Sequence, residues 1–203
     1  MKYAKSPLAL AIGYLYASSI ASPALAQPVL EEVVVTAQKR AESLQDVPIS
    51  IAAVSGDNIE RAGITDLEEL SFIMPNITIT QEQISDRINI RGIASGGNQG
   101  FDQSVGLFSN GVYLGRGTQF RSAFLDVGMV EILRGPQATL FGKNTIAGAV
   151  NITPRRPDYE LNGEIRGRYE AEYGGWSTSG YVTGGLTDTL AARVAVKYKE
   201  DNG

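Results

Sequence analysis

Arg134-Gly135-Pro136-Gln137-Ala138-Thr139-Leu140-Phe141-Gly142-Lys143-Asn144, continued by Gly148-Ala149-Val150-Asn151-Ile152, is the most specific stretch of this 203-residue sequence. It joins two segments of strand character, residues 127–133 and 147–153. Gly142-Lys143 superficially suggests a phosphate loop but departs from one twice. A Walker A motif leaves four residues between its first Gly and the Gly-Lys, whereas six separate Gly135 from Gly142. Asn144 also stands where a Ser or Thr would bind magnesium. Nucleotide binding is therefore set aside.

Upstream of this run, residues 46–157 alternate short strands, short helices and Gly-rich loops. Residues 47–54 predict a strand entered through Pro48. Ser55 is placed to cap a short helix running through Arg61, and Gly63 suits a left-handed exit. Thr65 and Glu68 predict a capping box for a second helix, on which Leu67, Leu70 and Met74 share one face before Pro75 ends it. Residues 76–80 and 87–91 predict short strands. Residues 105–108 and 112–114 flank Asn110-Gly111, a two-residue hairpin signal. The whole predicts a small α+β domain, a mixed sheet with short helices and loops.

Downstream of Pro157 the pattern becomes strict alternation. Ile165, Gly167, Tyr169, Ala171 and Tyr173 fall on one face, against Glu164, Arg166, Arg168, Glu170 and Glu172 on the other. After Gly174-Gly175, Trp176, Gly180, Val182, Gly184 and Leu186 oppose Ser177, Ser179, Tyr181 and Thr183. After Thr187-Asp188-Thr189, Leu190, Ala192, Val194, Val196 and Tyr198 oppose Arg193, Lys197 and Lys199. Three successive strands with an apolar and a polar face, and with aromatics near their ends, are expected of a transmembrane β-barrel. A half-exposed antiparallel sheet alternates too, but three strands of this length after a small domain favour the barrel.

Residues 1–26 have the three parts of a secretory signal: Lys2 and Lys5, an apolar run over 8–17, and Ala24-Leu25-Ala26 as a cleavage site. The apolar run is shorter than the roughly 20 residues a spanning helix requires. Gln27 is the expected new N-terminus. Shortly after it comes Glu31-Glu32-Val33-Val34-Val35-Thr36-Ala37, whose valines and threonine favour an extended strand. The polar run that follows, from Gln38 to Ser43, offers it no core. A strand so placed suits pairing with a sheet edge of another protein; the plainer alternative is an edge strand of the chain's own domain.

Composition narrows the functions. There is no Cys and no His, so disulfides, thiolate metal sites and His-based triads are excluded. Formal charge is −4, and removing Lys2 and Lys5 leaves 16 basic against 22 acidic residues, which argues against nucleic acid as a partner. An enzyme is the weakest hypothesis, because no paired carboxylates stand out and the usual means of nucleophile activation is missing. Its test is whether Asp102, Asp126 or Glu131 converge in one pocket.

Together these features resemble the TonB-dependent outer-membrane receptors. Residues 31–37 are similar to the family's TonB box. The run from Arg134 to Ile152, with Ile90-Arg91-Gly92 and Asn110-Gly111-Val112-Tyr113-Leu114-Gly115-Arg116, resembles the plug-domain signature in order and spacing. The matched plug positions are Arg91, Gly92, Asn110, Gly111, Arg134, Gly135, Pro136, Gln137, Phe141, Gly142, Asn144 and Gly148. One departure is the Ser109-Asn110 before Gly111, where relatives often carry an acidic residue.

The resemblance implies a layout: signal peptide 1–26, TonB box and linker 27–45, plug 46–157, and the start of a β-barrel from 158 to 203. It implies a bacterial outer-membrane location and no enzymatic activity, cofactor or bound metal. The implied partners are TonB, by strand addition at Glu31, Glu32, Val33, Val34, Val35, Thr36 and Ala37, together with outer-membrane lipid and a small-molecule or metal-chelate ligand. An iron–siderophore is the ligand most expected from the family. The short span between Ala26 and Glu31 favours transport over transcriptional signalling. Ligand contacts are expected at the plug apex, in the loop 94–103 and around 116–120, with Phe101, Asp102, Arg116 and Gln119 as candidates. Arg91, Arg116, Arg121 and Arg134 are expected either to pair with lumenal carboxylates of the barrel or to brace the plug itself. Since a plugged barrel has about 22 strands, the 46 residues after Pro157 are expected to be the opening of a longer, here truncated barrel. The alternatives are an exported plug-like binding module and a truncated gene product with no transport activity.

Overall fold

The computed structural model describes residues 33–36, 40, 42–82, 86–94, 103–170 and 174–200. Residues 1–26, expected to be a leader, lie outside them, as do Glu31, Glu32, Ala37, the expected contacts Phe101 and Asp102, and Ala171, Glu172 and Tyr173.

The described chain begins with β1 (Val34–Val35) and β2 (Glu42–Ser43), an antiparallel ribbon with Val34 opposite Ser43 and Val35 opposite Glu42. The sequence suggested no partner for 33–36 in the polar run after it. Strand pairing, however, needs backbone groups and not a core, so a polar segment that folds back serves.

β3 (Ile51–Ser55) leads into helix α1 (Gly56–Ala62), capped as expected. Asn58 N–H donates to the Ser55 hydroxyl at 3.4 Å, and Gly63 takes the left-handed conformation that ends the helix. Helix α2 (Leu67–Ile73) follows, with Leu67, Leu70 and Met74 buried on one face. Its cap differs from the expected Thr65–Glu68 box by one residue. Asp66 is the N-cap, accepting from Glu69 N–H at 2.9 Å, while Glu69 reaches back to Thr65 N–H at 2.5 Å. A carboxylate accepts the N3 amide as well as a hydroxyl does, so the two adjacent candidates compete on geometry alone.

β4 (Ile77–Thr80), β5 (Arg87–Ile90) and β6 (Ile93–Ala94) form a small antiparallel sheet. Ile90 pairs with Ile93 across Arg91-Gly92, whose φ values of 53° and 85° make this a second two-residue hairpin turn. The Ile90-Arg91-Gly92 motif therefore has a local purpose, although Arg is an uncommon residue at positive φ. β7 (Val105–Ser109) and β8 (Val112–Leu114) flank Asn110-Gly111, at φ 49° and 79°, as the sequence predicts.

A 3-10 turn over Gly117–Arg121 precedes β9 (Val127–Arg134), the four-residue helix α3 (Ala138–Phe141) and β10 (Gly148–Pro154). The main sheet has the order β3-β9-β10-β7-β8; β10 and β7 are parallel and the other neighbours antiparallel. One face carries Val130, Ile132, Val105, Leu107 and Val150 into the main core, against α1, α2, the small sheet and Phe120. The other face carries Phe108, Leu133 and Ala149, with the Phe141 ring tilted against Phe108 at a centroid distance of 4.7 Å. Glu131 and Asn151 share that second face, by the two-residue period of a strand.

β11 (Asn162–Glu170), β12 (Gly175–Thr187) and β13 (Leu190–Glu200) form an antiparallel meander, the three strands expected from the alternation. Ile165, Tyr169, Val182, Val194, Val196 and Tyr198 are exposed on its outer face. No helix among the described residues is long and apolar enough to cross a membrane, which bears on helices alone.

Candidate functional site

Two places in this fold gather polar side chains whose roles go beyond local packing. The first lies where the β1–β2 ribbon meets the second face of the main sheet. Val35 is buried, and the next residue, Thr36, gives its backbone N–H to Glu131 Oε1. The Thr36 hydroxyl lies 3.3 Å from Oε2 of the same carboxylate, and Asn151 Nδ2 donates to that oxygen at 2.7 Å. Glu131 sits on a central strand, opposite Ala53 on one side and Asn151 on the other, and is 0% exposed. A carboxylate so placed has to be met by donors, because water is excluded and an unmet charge is costly. Beside it is a cavity of about 370 Å³ whose lining includes Thr36, Phe108, Phe141, Asn151 and Arg156.

The second place is the seam between the α+β domain and the polar face of the meander. Arg166 bonds Glu60 on α1 as well as Glu164 on its own strand. Arg168 donates to the carbonyls of Glu60 and Gly63 at 3.2 and 3.3 Å, at the C-terminal end of α1. Arg193 makes a two-pronged pair with Asp126, and Lys197 Nζ donates to the Phe124 carbonyl at 3.4 Å. Arg155, on the domain side, bonds Asp57 within the domain at 2.6 Å. In this seam, then, cations of the meander meet acids and carbonyls of the domain. The opposite polarity, domain arginines reaching wall carboxylates, was one of the two expectations. Arg91 and Arg121 instead brace the domain: Arg91 donates to the Ser50 hydroxyl at 2.8 Å, and Arg121 pairs with buried Asp86 at 2.7 Å.

The signature run carries the chain from β9 to β10. Gly135 N–H donates to the Ala147 carbonyl and Gln137 N–H to the Thr145 carbonyl, at 2.9 and 3.0 Å, so the pairing continues beyond the ends of β9 and β10. Asn144 Nδ2 then ties the loop to the Tyr113 hydroxyl at 2.8 Å. Of the expected ligand contacts, Arg116 and Gln119 are bonded to each other, the Gln119 amide oxygen accepting from Arg116 N–H at 2.9 Å. Asp126 and Glu131 do not converge, since Asp126 faces the meander and Glu131 faces the ribbon. Among the described residues no three His, Cys, Asp or Glu side chains gather to hold a metal ion.

The comparison with known proteins decides the family. The description TonB-dependent Receptor Plug Domain matches residues 43–149. The chain belongs to the TonB-dependent receptor plug family. It is 33% identical to the pesticin receptor of Yersinia pestis over 161 residues, which cover 78% of this chain and 24% of that one. An iron-regulated outer membrane virulence protein of Vibrio cholerae is 26% identical over 210 residues, covering 95% of this chain and 31% of that one. Among solved structures, the ferric yersiniabactin uptake receptor of Yersinia pestis superposes with a TM-score of 0.66 at 30% identity, over 73% of this chain and 24% of that one. The chain thus spans between about a quarter and a third of the length of these relatives. The fold is a plug with a mixed sheet and few helices, followed by strands like those that open a TonB-dependent barrel.

The part of the plug that the motifs did not single out is the ribbon's anchorage. Glu131 did carry a signal: it is a lone acid within the apolar strand Val-Gly-Met-Val-Glu-Ile-Leu-Arg. Charged residues are almost never fully buried without a partner. What the sequence could not say is that the partner would be Thr36, 95 residues away.

Proposed function

We propose that this chain is the N-terminal portion of an outer-membrane receptor that imports a scarce nutrient, an iron–siderophore chelate, with energy delivered through TonB. In this reading residues 1–26 are a cleaved export signal, 27–45 the TonB box and linker, 46–157 the plug, and 158–203 the first barrel strands. The observation that carries it is a short strand, Val34–Val35, held on the plug through Thr36 just ahead of a plug domain whose family is established. A strand of two residues can be drawn away once Thr36 leaves Glu131, by strand addition, the mode by which an extended segment adds to a sheet edge. The names of the relatives, which include an iron-regulated outer membrane protein and a ferric yersiniabactin uptake receptor, support the ligand class. On the same reading, ligand reaches the plug apex near Arg116 and Gln119, with Phe101 and Asp102 in the adjoining loop.

The cation-rich seam fits a plug seated against its wall. Polar pairs in a lumen are exchangeable with water, so a domain held by them can shift without exposing its core, whereas one held by apolar contact could not. The test is uptake of radioactive iron from ferric siderophores by cells carrying the receptor gene. Val34→Pro, which removes an N–H on the open edge of the strand, is expected to abolish uptake without lowering the receptor in the outer membrane. Unchanged uptake in that variant, or in cells lacking TonB, would refute the reading.

A further inference from the structure

The register of the ribbon identifies which edge of β1 remains open. Leu44 N–H donates to the Val33 carbonyl at 2.9 Å, while Val34 and Val35 stand opposite Ser43 and Glu42. In an antiparallel pair, peptide groups alternate between the partner and the far side. Val33 and Val35 therefore face β2, and Val34 and Thr36 face away from it. A strand joining the ribbon along β1 must use the N–H and C=O of Val34 and the N–H of Thr36. That last N–H is engaged by Glu131.

Glu131 is well suited to hold it. The carboxylate lies on β9 between β3 and β10 and has no exposure, so it cannot swing to solvent while the sheet stands. Asn151, directly across the ladder, fixes its orientation from the side opposite Thr36 through the 2.7 Å bond. A backbone N–H donating to a carboxylate makes a stronger bond than one donating to a neutral carbonyl. An incoming strand, which offers only carbonyls, competes at a disadvantage.

We propose that Glu131, oriented by Asn151, is the gate of the TonB box. It withholds one of the two edge N–H groups that TonB's strand needs, so the box becomes competent only once Thr36 has left the carboxylate. The cavity next to Thr36 and Asn151 gives water a way to replace the lost donors as the ribbon lifts. This inference rests on reading residues 31–37 as the TonB box.

The test compares the full chain with its Glu131→Gln and Thr36→Val variants. Amide exchange is followed at position 36 and at Leu44, and affinity is measured for the purified periplasmic domain of TonB. Glu131→Gln keeps the size of the side chain but removes its charge. Thr36→Val removes only the hydroxyl contact and lies outside the plug core, so it reports even if the first variant folds poorly. In Glu131→Gln the amide at 36 is expected to exchange about tenfold faster, with Leu44 unchanged and TonB bound about tenfold more tightly, since apparent affinity scales with the open fraction. Thr36→Val is expected to act in the same direction by about threefold, as suits one weak hydrogen bond. Equal TonB affinity for all three chains, or unchanged exchange at position 36, would overturn the gate alone. Absence of TonB binding by every chain would overturn the reading of the box and the gate with it.

Discussion

Arg193 on β13 and Asp126 in the loop ahead of β9 meet through two hydrogen bonds, Nε to Oδ2 at 2.5 Å and Nη2 to Oδ1 at 2.6 Å. The guanidinium carbon also lies 3.8 Å from the centre of the Tyr181 ring, so the cation is sandwiched between a carboxylate and an aromatic face. Both side chains are largely buried, at 9% and 15% exposure. Asp126 adopts a left-handed φ of 50°, which aims its carboxylate at the strand. This pair joins the α+β domain to the meander through a forked, largely buried contact.

Asp126→Asn tests its worth, because Asn tolerates the left-handed backbone and changes only the charge. Breaking a buried pair while leaving one charge in place costs about 3 kcal/mol. The urea midpoint of the full chain should fall accordingly. Arg193→Lys should cost less, about 1–2 kcal/mol, since the charge stays and only the fork is lost. An unchanged midpoint for Asp126→Asn would mean that the seam is held elsewhere.

A close approach of backbones sets a second prediction. A Cβ on Gly56 would stand 1.8 Å from the Val127 carbonyl oxygen. Neither atom belongs to a flexible side chain, so Gly56→Ala must part α1 from β9. It should cost at least about 2 kcal/mol, in the upper range for overpacking. Gly167→Ala on β11 is the control: a Cβ there meets nothing within 4 Å, and the change should stay within about 0.5 kcal/mol. Thermal melts of the two variants provide the comparison.

The second helix offers a test of cap assignment. Asp66→Ala should cost about 1 kcal/mol, the usual loss of an N-cap, because the Glu69 N–H loses its acceptor. Glu68→Ala should be close to neutral, since among the described residues the Glu68 carboxylate bonds Gln81 alone, on the surface. Chemical denaturation would separate them, and equal losses would restore the Thr65–Glu68 box that the sequence suggested.

That one-residue difference shows where sequence was sufficient and where it was not. Ser55, Gly63, Asn110-Gly111 and the apolar face Leu67-Leu70-Met74 act through neighbours a few positions away, and each lies where the local pattern placed it. The alternation after Pro157 was legible for the same reason, since a strand's two faces follow from a period of two. Contacts made across long separations were not. Arg193 with Asp126, Arg166 with Glu60 and Thr36 with Glu131 each join residues 67 or more positions apart. Nothing in their neighbourhoods specifies such pairings. The self-pairing of the ribbon was missed because a polar segment was judged by its lack of core, whereas the ladder asks only for peptide groups.

The exposed outer face of the meander bears on the barrel reading. Ile165 and Val196 are 85% and 65% exposed, on the side away from the plug. If that side meets lipid, Ile165→Arg or Val196→Arg should destabilise the inserted protein by about 2–4 kcal/mol near the bilayer midplane. The amount recovered in outer membranes should drop. Full recovery of both variants would place that face in water.

The most direct measurement of the whole account is disulfide trapping between this chain and TonB in living cells. The chain has no cysteine of its own, so Val34→Cys introduces a single thiol, on the exposed side of the box strand. Paired with single-cysteine forms of TonB, it is expected to cross-link, and more strongly when ferric siderophore is supplied. Phe72→Cys, on α2 and more exposed than Val34, should give no product. Cross-linking at Phe72→Cys as readily as at Val34→Cys, or at neither, would contradict the assignment of Val33 to Thr36 as the strand that TonB engages.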